Sequence, residues 1–227
     1  MRICLAIQLG CTIVCLFPAS SHCQGQYLDK GTSGFGVGTS YQSNTDVSAF
    51  VYSGGLTING RFDMGFAIGN LRDEPSHRTI QSVSLGFYPT KQDASASSVS
   101  IGLQTAFQWT SNTPGVIASV GVCFFKMTTI SRRLSLLPTG GAFHMRNLDN
   151  LKQHNTAVVF GLPVVLKPST WVLLTFNPTI TIDEDYETYT IGIGIVFMAP
   201  TETANKKTEH NTLEVRRYPS MAKASGR

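Results

Sequence analysis

Few residues in this chain have the types and spacing that could do chemistry. Asp73, Glu74 and His77 crowd into one stretch, and Asp149 and His154 into another. A carboxylate beside an imidazole is the raw material of general base catalysis, as in proteases or lipases that bring Asp, His and Ser together. Such a base must be held within about 3 Å of its target. Short polar stretches of this kind are more simply solvated loops, so no enzyme is expected. Asp183-Glu184-Asp185 offers several carboxylate oxygens, as a hard cation such as Ca²⁺ requires. The plainer reading is an acidic loop tip, and neither a metal nor a cofactor is expected. Nucleophile elbows, phosphate loops, CxxC pairs and HExxH helices do not occur. Arg61 and Asp63, two residues apart, share a strand face with the same orientation as Gln104 and Gln108 on a later strand. These four are the candidate lumen-lining residues. They either pair into a polar network that fills an interior or line a narrow aqueous path of weak charge selectivity.

The elements that must position them are strands. In Tyr189 to Phe197, the residues Tyr189, Ile191, Ile193, Ile195 and Phe197 alternate with Thr190, Gly192, Gly194 and Val196. Side chains of a strand point alternately to opposite faces, so one face here is apolar and the other nearly bare. The same pattern recurs at Phe35 to Tyr41, Phe50 to Ile58, Phe62 to Ile68 and Val83 to Phe87. It returns at Val99 to Trp109, Val116 to Phe124, Val158 to Leu166 and Val172 to Ile182. Asn59-Gly60 marks a hairpin turn. Ile117 and Phe125 put apolar bulk on an otherwise small inner face. A tenth strand falls between Leu134 and Met145, where Pro138-Thr-Gly-Gly141 interrupts the alternation. Ten strands are expected, because barrels prefer even numbers, with eight as the alternative. The outer loops then fall near Ser43 to Asp46, Asn70 to His77, Thr110 to Pro114, Asn147 to His154 and Asp183 to Glu187.

The chain has 227 residues, of which 14% are charged, against about 25% in soluble domains. Its formal charge is +4. The segment from Thr201 onward supplies most of that, with Lys206, Lys207, Arg216, Arg217, Lys223 and Arg227 set against Glu202, Glu209 and Glu214. The body is therefore neutral, and nucleic-acid binding is not expected. Arg2, the apolar run from Ile3 to Phe17 and the small polar residues that follow read as an export signal over 1–23. Residues 24–198 form the barrel, and 199–227 read as a polar, disordered tail on the periplasmic side. Cys4, Cys11 and Cys15 lie in the signal, leaving Cys23 and Cys123, which make neither a disulfide framework nor a metal site. Tyr41, Trp109, Trp171, Tyr189 and Phe197 fall near strand ends, as interface aromatics do.

A soluble barrel also buries one face of each strand, and a soluble secreted lipocalin-like barrel is a further alternative. Its outer positions would need Lys and Glu. Here the complementary positions are Gly, Ser, Ala, Thr and Gln, and the strand charges reduce to Arg61, Asp63 and Lys126. The pattern predicts an all-β, up-and-down antiparallel transmembrane β-barrel. With its export signal, Gly60-Arg-Phe-Asp-Met-Gly65 and a closing strand ending in Phe197, the chain resembles the small barrel-only outer-membrane proteins of Gram-negative bacteria, particularly those of Bacteroidetes-like lineages. The resemblance covers about Gly34 to Phe197. It implies location in the outer membrane, contact with outer-membrane lipid, and insertion by the outer-membrane assembly machinery. The expected role is a structural or interaction barrel, with a narrow pore or carrier for small solutes as the alternative.

Overall fold

The computed structural model describes residues 24–73, 76–90, 99–111 and 113–199. The expected export signal, Glu74 and the tail beyond Ala199 lie outside them. A short 3-10 helix at Gln24–Tyr27 precedes thirteen strand segments: β1 (Ser33–Ser43), β2 (Ser48–Ile58), β3 (Phe62–Asp73), β4 (Ser76–Thr90), β5 (Ser100–Thr110), β6 (Thr113–Phe125), β7 (Thr128–Ser131), β8 (Leu134–Leu136), β9 (Thr139–Asn147), β10 (His154–Gly161), β11 (Val164–Leu166), β12 (Val172–Ile182) and β13 (Glu187–Ala199).

Every pairing is antiparallel, and β1 pairs with both β2 and β13, which closes the sheet. Three barrel strands are interrupted, β6 continuing into β7, β8 into β9 and β10 into β11, so the thirteen segments make a closed barrel of ten strands. Leu137-Pro138 separates β8 from β9 and Leu162-Pro163 separates β10 from β11, because proline cannot donate to the ladder. This is why the tenth strand alternates poorly in sequence. Closure matters physically, since hydrocarbon offers no partner to an unpaired backbone group.

Asn59 and Gly60 take φ of 55° and 61°, and the Arg61 N–H donates to the Ile58 carbonyl at 3.0 Å. Two positive φ values are the signature of a type I′ hairpin turn. Instead of an open loop from Asn70 to His77, β3 and β4 keep their ladder up to the Asp73–Ser76 pair. Polar residues such as Asn70 and His77 read as loop, but backbone bonds persist wherever partners stay in register.

Both described ends of the chain and the turns at 59–61 and 132–133 share one end of the barrel. The strands tilt steeply against it. A single row of hydrogen-bonding neighbours runs Ile58, Phe62, Phe87, Leu103, Val122, Ala142, Val158, Ile182 and Glu187. It starts on the last residue of β2 and ends on the first of β13, at the opposite end, as closed barrels with tilted strands require.

Candidate functional site: the lumen and the barrel rims

Arg61 lies in the hairpin turn rather than on a strand face, and its Nε is buried with no hydrogen-bond partner among the described residues. Asp63 is buried inside the barrel, where its Oδ2 accepts a hydrogen bond from the Tyr88 hydroxyl at 3.1 Å. Asp63 and Gln104 flank Gly86 from the two neighbouring strands. Gln104 is half-buried, and its Nε2 donates to Cys123 Sγ at 3.4 Å. Gln108 is buried farther along β5, opposite Ser82. The structure thus places Asp63 against Tyr88 and Gln104 against Cys123.

The inner face is far from empty. Ideal Cβ atoms on Gly102 and Gly121 would collide with neighbouring side chains, that on Gly102 at 2.7 Å from Tyr88 Cε1 and that on Gly121 with the Phe143 ring. The glycines leave room for aromatic rings that fold across them from the next strands. At the end carrying both described ends of the chain, Tyr27, Leu28, Tyr88, Phe125, Leu137, Val165, Leu173 and Val196 pack into one buried cluster. Leu28 is 1% exposed and Tyr88 and Leu137 are 0% exposed. Tyr27 and Leu28 come from the segment ahead of β1, and the Tyr27 hydroxyl donates to Asn177 Oδ1 at 2.9 Å inside the barrel. Toward the other end, Val47, Ala49, Val51, Ala67, Leu71 and Ile80 form a second cluster, against which Ile117 packs. Phe125 and Ile117, which break the small inner face in sequence, therefore pack with the first and the second apolar cluster. Sequence reading missed Tyr27-Leu28, whose only local signal is an apolar pair stranded between polar residues.

Beside the second cluster, on β1, β12 and β13, stands a polar wall of Ser40, Gln42, Thr181, Thr188 and Thr190. All are buried, and their side-chain oxygens and nitrogen have no hydrogen-bond partner among the described residues. The strand alternation that turns isoleucine outward turns these threonines inward.

The outer wall is apolar over most of the strands, with Phe35, Leu56, Phe66, Leu85, Phe107, Phe176 and Ile193 among its exposed side chains. The aromatic residues expected at interfaces all face outward. Tyr41, Trp109 and Tyr189 lie near the loop end, and Trp109 Nε1 donates to Gln81 Oε1 at 2.8 Å. Trp171 and Phe197 lie at the opposite end, joined by the Met198 N–H to Trp171 carbonyl bond of 2.8 Å.

The Asp183 carboxylate is held by its own turn. Asp183 Oδ1 accepts from the backbone N–H groups of Asp185 and Tyr186, both at 2.8 Å. Asn44 and Asn147 cap their own loops in the same way. These are Asx turns, which explain how such short loops reverse the chain. Burial pushes the Asp183 carboxyl above the usual carboxylate range, against the backbone donors that pull it down, with Asp185 and Glu184 adding to the rise. Asp149 points its carboxylate toward Gly115, whereas His154 lies over His144, so Asp149 and His154 form no dyad. The side chain of Asp73 and all of Glu74 fall outside the described residues. Among the described residues, no three His, Cys, Asp or Glu side chains cluster as metal ligands.

No family model matches the sequence, and no curated protein does. Solved structures do. The translocator domain of the autotransporter NalP from Neisseria meningitidis is similar at 11% identity and a TM-score of 0.50, over 86% of this chain and 97% of that one. The β domain of the Bordetella autotransporter BrkA follows at 10% identity and a TM-score of 0.45, over 73% and 99%. The KdgM porin in complex with disordered oligogalacturonate gives 8% and 0.40, over 71% and 98%. At such identities the likeness concerns the fold alone: this chain folds as a closed ten-stranded antiparallel barrel of the outer-membrane type.

Proposed function

We propose that this protein is an integral outer-membrane barrel with a closed lumen, acting as a structural or interaction element rather than as an open pore. The largely apolar outer wall supports membrane residence and speaks against a secreted lipocalin-like barrel, whose exterior would face water. The observation that carries the closed reading is the buried cluster around Tyr27, Leu28, Tyr88 and Leu137, which packs side chains from the segment ahead of β1 against residues of several strands at one barrel end. A ten-stranded barrel encloses little more than its own side chains can fill. The narrower kinship to Bacteroidetes-like barrel proteins and the export route through an N-terminal signal rest on sequence pattern.

A second reading, a narrow path for small polar solutes, draws on the polar wall of Gln42, Thr181, Thr188 and Thr190. Conductance across planar bilayers containing the purified full chain separates the two. The closed barrel gives no steady channel, and ohmic single-channel steps from the wild-type protein would overturn it in favour of the solute path.

A further inference from the structure

We propose that the outer wall of the β9–β10 hairpin is a binding site for the phosphate of a membrane-lipid headgroup. This hairpin turns out His144, Arg146, His154 and Thr156, all exposed, at the loop end, where the hairpin of β3 and β4 also turns out Arg72 and His77. Arg146 pairs directly with His154, and His144 with Thr156. The two imidazoles lie with ring centroids 5.8 Å apart, and His144 Nδ1 is 3.2 Å from Thr156 Oγ1. Arg146 Nε donates to the Leu151 carbonyl at 3.0 Å, which fixes the guanidinium and leaves its terminal nitrogens for another acceptor. Lys152 is exposed in the adjoining loop, and no carboxylate pairs with any of these cations among the described residues.

Their height in the barrel selects the partner. The row of neighbours described above reaches Ala142 and Val158 most of the way to the loop end, and His144, Arg146 and His154 lie beyond it. That is the level of the loop-end aromatics, where headgroups rather than acyl chains meet the wall. Unpaired cations facing hydrocarbon would be costly, but at the interface they meet phosphate, to which arginine presents a planar fork and the imidazoles an N–H each. Below the patch, Val120, Val158 and Phe160 continue as an exposed apolar surface for acyl chains. A lipid phosphate satisfies both halves, whereas free phosphate satisfies one.

The proposal rests on the membrane-barrel reading, and the test separates the two. The full chain, folded in a non-ionic detergent, is titrated with dioctanoyl phosphatidic acid, dioctanoylglycerol and inorganic phosphate, with bound molecules counted by native mass spectrometry. Phosphatidic acid should bind at least about tenfold more tightly than either of the others. Arg146→Gln should weaken it by about tenfold, and His144→Asn with His154→Asn by several-fold. Lys167→Gln, at the opposite end, should leave it unchanged. Heat-modifiable migration on a gel verifies that each variant is folded, and these exposed positions should not disturb it. Equal binding of inorganic phosphate, equal binding of dioctanoylglycerol, or undiminished binding to the Arg146 and histidine variants would overturn the site. If the wild-type chain folds only without detergent or lipid, the membrane reading fails instead, and the site with it.

Discussion

Ile193 offers the most direct test of what surrounds this barrel. It lies midway along β13, between Thr39 of β1 and Phe176 of β12, and is 56% exposed on the outer wall. If that wall faces water, Ile193→Arg is an ordinary surface change and should alter stability by no more than about 0.5 kcal/mol. If it faces hydrocarbon at the bilayer midplane, the same change costs about 2–4 kcal/mol. That is roughly one and a half to three decades in the folding equilibrium. The cost must also depend on depth. Ile58 is exposed too, but it is the last residue of β2, so Ile58→Arg should cost about 0–1 kcal/mol near the interface. Urea titration of the full chain folded into phosphatidylcholine vesicles measures both, with Trp109 and Trp171 as fluorescent reporters at opposite rims. An Ile193→Arg variant within about 0.5 kcal/mol of wild type would refute the reasoning. So would equal costs at the two positions.

Gly121→Ala should destabilise by about 1–3 kcal/mol, because its Cβ would overlap the Phe143 ring, and Phe143→Leu in the same chain should restore part of the loss. Gly140→Ala is the control: its Cβ would come no closer than 3.8 Å to anything, so the same unfolding assay should barely register it. Tyr88→Phe removes the hydroxyl that donates to buried Asp63 and should lower stability by about 1–3 kcal/mol, read from the shift in urea midpoint. Asp183 holds its proton more tightly folded than unfolded, so its contribution worsens as pH rises from the ordinary carboxylate value through the raised one. Asp183→Asn, which keeps the oxygen that caps the loop, should match or exceed wild-type stability at pH 7 and lose that advantage below about pH 4. Asp183→Ala should be less stable at every pH, since the N–H groups of Asp185 and Tyr186 lose their acceptor.

The strands themselves were legible because their signal is local. Alternation of Ile191, Ile193 and Ile195 with Thr190, Gly192 and Gly194 fixes which face meets the solvent of the barrel, whatever the neighbouring strand does. The Asn59-Gly60 turn and the low strand charge are likewise properties of short stretches. The hairpin of β3 and β4 was harder, since polarity near Asn70 and His77 conceals a ladder that depends on register with a partner. The interrupted strands were harder still, because Pro138 and Pro163 break the pattern within a strand that pairing on both sides keeps whole.

What fills the barrel only the tertiary structure decided. A run of inward glycines looks like empty space in sequence, but the volume above Gly102 and Gly121 belongs to Tyr88 and Phe143 from adjacent strands. Tyr27 and Leu28 look like a connector, and they are buried only because strands distant in sequence bend round to meet them. Arg61 and Asp63 show the same division: two residues apart in sequence, one is in a turn and the other is bonded to Tyr88 inside the barrel. Sequence determined which face of each strand is greasy, since that follows from a two-residue period. The fate of the other face depends on curvature, tilt and register, which bring together side chains far apart along the chain.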